Sequence, residues 1–288
     1  MTYTRKNVRD LSKSERRRFV NAVLDLKRSG EYDEFVRVHI DYYVSDGEDQ
    51  LRLAHMAPSF LPWHRMFLLE FERALRRIDS SVTVPYWDWT RDRTPAAGLW
   101  KSDFMGGTGR RRDLRVMDGP FARSEGRWRV RYAMTDGDFL TRDLGRPRDP
   151  LPLPTKAQVD RVMQETVYDV EPWNSMSRRG FRNRLEGWGP GEGDDRFLIH
   201  NRVHRWVGGL MLGGASVNDP IFWLHHSYVD MLWSRWQQRN PRAGYRPATA
   251  PLPGTSQFRR VAARDEPMGP WDVTPEQMLE HRRIYRYR

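Results

Sequence analysis

The chain has 288 residues, no cysteine and a formal net charge of +11 at pH 7. The lack of cysteine excludes disulfides, thiolate metal sites and a cysteine nucleophile. The chain also lacks an apolar run of about 18 residues, the length that would predict a membrane span. The first twenty residues are polar and basic, so we expect no secretory signal peptide and either a cytoplasmic location or export with a partner.

The positive charge is spread along the chain, with basic runs at Arg16–Arg18 and Arg110–Arg112. A nucleic-acid-binding protein is expected to carry its cations on one face or to contain a recognisable binding module, and the sequence shows neither feature. We therefore predict no specific nucleic-acid binding. The charge is instead typical of a solubilised surface or of one that meets an acidic partner or an anionic matrix.

Two amphipathic helices are predicted near the start of the chain. Apolar residues recur at helical spacing over Leu11–Lys27, and Gly30 interrupts the pattern. A second helix over Glu34–Val44 carries His39. Ser45-Asp46-Gly47 has the composition of a turn that ends it.

His55 and His64 come next in the sequence. Pro62 and the apolar periodicity that follows it predict a long helix with His64 in its first turn. His55 precedes that helix in an irregular segment broken by Pro58. We expect His39 and His64 to face each other across a helix pair, with His55 reaching them from a loop as the most mobile of the three.

The middle of the chain is rich in Gly, Pro, Arg and Asp, which predicts long ordered loops over residues 90–155. A hairpin is predicted near Arg127–Met134 and Phe139–Leu144. Helices are predicted over Lys156–Tyr168 and, more briefly, Phe181–Trp188. A Gly-rich insert follows, and a last helix is predicted over Pro275–Ile284.

A second group of histidines lies between residues 200 and 226. His200 and His204 are four residues apart, so they share one face of a helix. Glycine pairs at 208–209 and 213–214 allow the chain to turn back. Asp219 and Pro220 then favour the start of a second helix, which brings the pair His225–His226 towards the first.

Seven of the eight histidines therefore fall into two clusters, which predicts two metal sites built from three imidazoles each. His225 and His226 are about 100° apart on a helix, so both cannot face one metal. Imidazole suits Zn, Cu, Fe and Ni, and sites of nitrogen donors without carboxylates favour copper over di-iron or di-manganese. A dinuclear zinc hydrolase is the competing interpretation, but no bridging carboxylate is evident. Two coppers about 3.5–4 Å apart, the separation typical of two-metal sites, are suited to binding O2 between them.

Five segments carry a resemblance that covers nearly the whole chain. They read SFLPWHRMFLLEFERAL, PYWDW, LEGW, HNRVHRWVGG and NDPIFWLHHSYVDMLW. Together they resemble the type 3 copper tyrosinase family, in particular its short bacterial members. The resemblance implies a mainly α fold, a helical bundle with long ordered loops and few strands. The resemblance also implies that this bundle holds a dinuclear copper centre, and we expect residues 1–288 to form one such domain.

The resemblance also implies roles for individual residues. The first copper takes His39, His55 and His64, and the second takes His200, His204 and His226, which leaves His225 as a supporting residue. Glu186 and Asn201 match the positions that hold a water able to deprotonate the phenol. The insert departs from the family pattern, so Glu192, Asp194 or Asp195 are expected to replace or crowd Glu186.

Further expectations concern residues around the coppers. Arg205 flanks the entrance and biases the enzyme towards acidic phenols, or is simply solvated. Asp219 caps a helix and supports the site. The remaining aromatic residues near the motifs are expected to be core: Trp63, Trp87, Trp89, Phe222 and Trp223.

The implied activity is that of a copper monooxygenase and oxidase. It converts monophenols to o-diphenols and o-diphenols to o-quinones with O2, as in melanin formation. The main alternative is a catechol or o-aminophenol oxidase that does not hydroxylate monophenols. An oxygen carrier of the haemocyanin kind is disfavoured because few residues follow His226 to cover the site, and a metal-free helical protein is disfavoured by the histidines.

The partners implied are small phenols and a small helper protein. The resemblance to short bacterial tyrosinases, together with the missing signal peptide, predicts that the helper supports copper loading and export. An acidic face on the helper would suit the basic surface near Arg110–Arg112.

Overall fold

The computed structural model describes residues 2–44, 47–133 and 137–288, and within these ranges the chain is mainly α-helical, as predicted. Seven α-helices are present there: α1 (Lys13–Ser29), α2 (Glu31–Asp41), α3 (Phe60–Ile78), α4 (Lys156–Val162), α5 (Phe181–Glu186), α6 (Ile199–Val207) and α7 (Ile221–Arg239). Helix α3 packs against α1 and α7, and α6 packs against α5 and α7. Long irregular segments connect them.

Local sequence explains how the first helix pair forms. Ser12 and Glu15 make a reciprocal capping box at the start of α1, which satisfies two backbone donors that the helix leaves free. Gly30 follows α1 with φ of +87°, a conformation that glycine adopts without steric cost. Helix α2 ends at Asp41, three residues before the predicted end. Residues 45 and 46 of the predicted turn lie outside the described residues.

The core is formed by aromatic residues of α3 and α7. The rings of Phe71 and Trp223 stack with their centroids 3.7 Å apart, and Trp63 and Phe67 are fully buried beside them. Burial of each such side chain contributes about 1.5–3 kcal/mol. The five aromatic residues predicted to be core are all fully buried: Trp63, Trp87, Trp89, Phe222 and Trp223.

The two ends of the described chain meet in a short parallel sheet that the sequence did not predict. Strand β1 (Tyr3–Arg5) pairs with β2 (Tyr285–Tyr287). Arg5 is fully buried and forms ion pairs with Glu72 at 2.8 Å and with Asp230 at 3.3 Å. A buried charge is tolerated only when it is paired in this way, so the pairing fixes both ends against α3 and α7.

Two further helix predictions were wrong in extent. Helix α4 ends at Val162 instead of Tyr168, because the chain turns so that the Tyr168 hydroxyl donates to the Pro58 carbonyl oxygen at 2.6 Å. The predicted helix over Pro275–Ile284 is only a short 3-10 turn at Glu276–Met278. The carbonyl oxygens of residues 278 and 279 accept hydrogen bonds from side chains of α3 and α7 instead of from the next helical turn.

The predicted hairpin is also wrong within the described residues, and its Met134 lies outside them. Among the described residues no backbone hydrogen bond joins the two predicted arms, and the nearest one runs from Val130 N to the oxygen of Asp138, just before the second arm, at 2.9 Å. Residues 140–142 pair with 114–116 instead, through an isolated bridge between Arg115 and Thr141. In the described part of the chain, no helix is both long and apolar enough to cross a membrane.

Candidate metal centre

His39, His55 and His64, here called the first triad, are brought together by α2, the segment before α3 and α3 itself. One nitrogen of each lies within 4.8 Å of the others, and all three side chains are buried. His39 Nδ1 lies 2.6 Å from the Gly214 carbonyl oxygen and His64 Nδ1 lies 2.9 Å from that of Phe60. An Nδ1–H that donates to a carbonyl leaves the Nε2 lone pair free for a metal.

His200, His204 and His226, here called the second triad, come from α6 and α7. The Nε2 atom of His226 lies 3.3 Å from the Nε2 atoms of both His200 and His204. The Nδ1 atom of His204 lies 2.7 Å from the Met211 carbonyl oxygen, and that of His200 lies 3.1 Å from the Glu186 carbonyl oxygen. These partners orient both rings with Nε2 facing His226.

His225 is also close enough to be grouped with the second triad. Its ring stacks on that of His200, with centroids 4.9 Å apart and planes 13° apart. His226 differs because its Nε2 atom points between those of His200 and His204. The ring of His226 also stacks on that of His64 at 4.3 Å, so the two triads are direct neighbours.

The histidines are held in the form that binds metal. Burial lowers the pKa of His39 to about 4 and that of His204 to about 4, even though backbone hydrogen bonds oppose the shift. The pKa values of His55, His64, His200 and His226 are also well below their ordinary value, chiefly because of burial. Neutral imidazole is the ligand form, and clustered nitrogen donors with no carboxylate among them fit copper.

A cavity of about 170 Å³ opens beside the histidines. An engineered cavity of about 150 Å³ is known to hold benzene, so this one has room for a single aromatic ring. Its described lining combines edges of three histidines with aromatic, amide and cationic side chains: Tyr43, His55, Trp188, Phe197, His200, Asn201, His204 and Arg205. His39, His64 and His226 lie behind this surface.

Asn201 and Glu186 occupy different positions relative to the cavity. Asn201 lines it, its Oδ1 lies 3.1 Å from His200 Nδ1, and its buried Nδ2 makes no hydrogen bond to another described residue. Glu186 ends α5 and is fully buried behind the lining. Its carboxylate accepts from Met56 N at 2.6 Å and from Arg182 Nη1 at 2.8 Å. Burial raises the pKa of Glu186, and the Arg182 cation opposes that shift.

The acids of the insert make contacts different from those of Glu186. Asp194 forms ion pairs with Arg146 and Arg205. Glu192 and Asp195 are exposed, and none of their described contacts reaches a histidine. Glu186 itself therefore makes the contacts with Met56 and Arg182, and which acid serves the substrate stays a prediction.

Asp219 is a weaker helix cap and a stronger ion-pair partner than expected. Its Oδ1 accepts from Ile221 N at 3.1 Å, at the start of α7. Both oxygens also accept from the buried guanidinium of Arg142 at 2.7 Å. Sequence reasoning missed this pair, because Arg142 lies 77 positions away in a segment with no helical pattern. Charge-assisted bidentate pairs are strong, so this pair fixes the start of the helix that carries His226.

The comparisons with known proteins agree with this geometry. Residues 29–239 match the family model described as the common central domain of tyrosinase. The chain is 51% identical to a tyrosinase of Streptomyces glaucescens over 284 residues, which is 98% of each chain. It is 40% identical to grixazone synthase of Streptomyces griseus, covering 100% of this chain and 99% of that protein.

A solved structure shows the same fold. The polyphenol oxidase of Thermothelomyces thermophila, a G292N mutant, superposes with a TM-score of 0.63 and 26% identity, over 82% of this chain and 70% of that one. Family model, sequence identity and histidine geometry thus point the same way. The chain belongs to the tyrosinase family, whose members are copper oxidoreductases with a dinuclear copper centre that reacts with O2.

Proposed function

We propose that the protein is a tyrosinase that uses O2 to convert monophenols to o-diphenols and o-diphenols to o-quinones. One observation carries the proposal: two neighbouring triads of neutral histidines, buried except for the half-buried His204, meet at the base of a cavity sized for one aromatic ring. The close relatives named tyrosinase support the same activity.

We assign His39, His55 and His64 to one copper and His200, His204 and His226 to the other. The support is that Nε2 of His39 and His64 is buried without a hydrogen-bond partner among the described residues, while the Nε2 atoms of the second triad converge. The copper pair, when bound, supplies the redox chemistry with O2. The protein contributes binding, orientation and the exclusion of water.

We assign the handling of the phenol proton to Asn201 and Glu186 acting through a water. Asn201 offers an unused amide donor at the cavity wall. Glu186 is linked to that wall twice, since it accepts from Met56 N and its backbone oxygen contacts His200. A base is needed for the monophenol, because the phenol must lose its proton to approach as phenolate.

A catechol or o-aminophenol oxidase without monophenol hydroxylation is the second candidate. The specific observation in its favour is that both carboxylate oxygens of Glu186 already accept hydrogen bonds from Met56 and Arg182. A carboxylate engaged in this way has less capacity left to orient a water. The diphenol is more acidic and depends less on such a base.

The experiment that separates the two compares initial rates on a monophenol and on its o-diphenol, with no diphenol primer. Oxygen uptake on both substrates by copper-loaded protein is the expected result for a tyrosinase. Oxygen uptake on the diphenol alone, with no product from the monophenol even after any initial lag phase has passed, would favour the second candidate. No uptake on either would contradict both.

We also propose that a separate helper protein assists copper loading. In support, five of the six proposed ligands, all but His204, are at most 6% exposed, so copper must reach them through the narrow cavity. The net charge of +11 and the exposed Arg111 and Arg112 would suit an acidic partner. Purified apoprotein given copper sulfate alone is expected to load slowly and incompletely. Rapid loading to full activity would contradict the helper.

A further inference from the structure

Arg205 stands at the entrance of the cavity, one position after His204. Among the described residues that line this cavity, it is the one that carries a permanent charge. Any electrostatic discrimination between substrates at this entrance must therefore depend on how free the Arg205 cation is. A guanidinium is charged at every accessible pH, so its availability is set by its partners and not by titration.

The partner of Arg205 is Asp194, a residue of the insert. Asp194 forms ion pairs with both Arg205 and Arg146, and the three side chains are here called the entrance cluster. Arg205 is 33% exposed and Asp194 28% exposed, so the cluster lies at the surface of the cavity mouth. Burial by itself would raise the pKa of Asp194, but the two guanidinium groups lower it below its ordinary value.

The surrounding backbone holds the cluster in place from both sides. Gly145 N donates to the Trp206 carbonyl oxygen at 2.8 Å, which docks the segment that carries Arg146 on the end of α6. Arg202, one turn before Arg205, donates to the backbone oxygens of Asp194 at 3.2 Å and Phe197 at 2.9 Å. The Asp194 carboxylate is thus presented to Arg205 by several independent contacts.

Arg205 is also positioned over an aromatic wall of the cavity. Its guanidinium carbon lies 4.5 Å from the centre of the Phe197 ring, within cation–π range. Phe197 and Trp188 are joined by a β-bridge and both line the cavity. The cation is therefore next to the path of an entering ring. Asp194 pairs with it there, while Arg146, the other cation of the cluster, also pairs with Asp149.

We propose that Asp194 is a specificity-determining residue. It masks and positions Arg205, so that the entrance admits neutral phenols and phenols with a carboxylate side chain to a similar degree. Removing the Asp194 charge frees the Arg205 cation and turns the entrance into one that prefers carboxylated phenols. This inference rests on the proposed function, since it concerns the substrate of the same site.

The size of the effect follows from the exposure of the cluster. Ion pairs at partly exposed positions are screened and modest, which corresponds to a preference that changes up to about fivefold. The change should appear in KM more than in kcat, because the contact is made at the entrance and is as strong in the bound substrate as in the reacting one. It should also weaken at high ionic strength, where exposed charges are screened.

The test compares two substrates that differ in one charge: 3-(3,4-dihydroxyphenyl)propionate and its primary amide. The measured quantity is the ratio of kcat/KM for the acid to that for the amide. Asp194→Asn is expected to raise this ratio about two- to fivefold, mainly through KM for the acid. Arg205→Gln is expected to lower it, and the double variant Asp194→Asn/Arg205→Gln to remove the increase.

Asp195→Asn is the matched control, since it removes the same charge from the adjacent, exposed position, which makes no ion pair among the described residues. Its ratio should equal that of the parental enzyme. An active Asp194→Asn variant with an unchanged ratio, or with equal losses on acid and amide, would overturn the role of Asp194 alone. A copper-loaded parental enzyme inactive on both substrates would overturn the proposed function as well.

Discussion

The two histidine triads are built from different kinds of structure. The second takes all three residues from helices, His200 and His204 from α6 and His226 from α7. The first takes His39 and His64 from α2 and α3, but His55 from an irregular segment between them. Helical spacing alone aligns His200 with His204, whereas His55 can be placed only by tertiary contacts.

The means of orienting each ring differ in the same way. In each triad, two rings are oriented through Nδ1 by a backbone carbonyl, and in the third Nδ1 makes no hydrogen bond to another described residue. The third ring of the second triad, His226, is fixed by its helix and by stacking on Phe222 at 4.1 Å. The third ring of the first triad, His55, does not lie on a helix, and its ring packs against those of Tyr43 and Phe60, whose centroids are 4.6 Å and 6.0 Å away. His55 therefore depends most on packing.

The triads also differ in how they face the substrate cavity. His200 and His204 line the cavity, together with Asn201 from the same helix. From the first triad only His55 reaches it. We infer that α6 shapes the contact with the phenol, whereas α2 and α3 hold the metal-binding histidines that lie deeper than the cavity. The predictions below test it, from the largest expected effect to the smallest.

The largest effect is expected from His226→Ala, with His225→Ala as the matched control. His226→Ala removes the ring whose Nε2 faces His200 and His204, so one copper should be lost. Mutation of a residue that only hydrogen-bonds a metal ligand costs roughly 10- to 100-fold in activity, and loss of the ligand itself should cost more. His225→Ala should keep both coppers and lose about 2–3 kcal/mol of stability from its cavity. Oxygen uptake, copper analysis and thermal unfolding check this. The reverse pattern would mean that His225 is the ligand.

A second prediction perturbs the second triad without changing a ligand. Gly187 has φ of +98°, and a Cβ there would lie 2.4 Å from the Leu198 carbonyl oxygen at the start of α6. Gly187→Ala should cost about 3 kcal/mol or more of stability, from backbone strain of about 1–3 kcal/mol plus the clash, and should weaken copper binding at the second triad.

Gly126→Ala is the control for Gly187→Ala, because Gly126 has φ of +75° but open space around its Cβ position. It should show the cost of the backbone conformation alone, about 1 kcal/mol, with copper content unchanged. Denaturant unfolding and copper analysis of the two variants give the comparison. Equal losses in both would show that Leu198 gives way and that α6 is not displaced.

A third prediction concerns Glu186, which supports the cavity wall next to the second triad. Glu186→Gln should lower primer-free monophenol oxidation about a hundredfold or more, the lower end of the range for loss of a positioned base, and diphenol oxidation by much less. Asp169→Asn is a control, since it removes the other carboxylate bound to Arg182. If Glu186→Gln lowered both activities to the same extent, Glu186 would have a structural role only.

The smallest effect is expected at His55. Tyr43→Leu removes the ring that packs 4.6 Å from that of His55. Aromatic pairs of this kind contribute about 0.5–1.5 kcal/mol, so copper should be released to a chelator about two- to tenfold faster, with one of the two ions affected. Phe222→Leu, which removes the ring stacked on His226, should have a smaller effect on release because the helix still fixes His226. A larger effect in Phe222→Leu would contradict the comparison.

Much of this site could be predicted from sequence because its signals are local. The His200–His204 spacing, the glycine turns and Pro220 before α7 each follow from short segments, and the structure brings the predicted histidines together in two groups. That residues 1–288 form one domain stays a prediction, as does the assignment of each ligand.

The remaining features depend on partners distant in sequence. Nothing local to Arg142 predicts its pairing with Asp219, and nothing local to β1 predicts that it pairs with β2. The burial of Glu186 against Arg182 and Met56 likewise needs the packed structure. The helix over Pro275–Ile284 failed for the same reason, because side chains of other helices take its backbone oxygens.

The most direct test of the two-triad arrangement is copper per chain, measured by elemental analysis of active protein and of two single variants. We predict two coppers in the parental enzyme, and one each in His39→Ala and His226→Ala, because each variant disables one triad and leaves the other intact. One copper per chain in fully active parental enzyme, or two retained in either variant, would contradict the account.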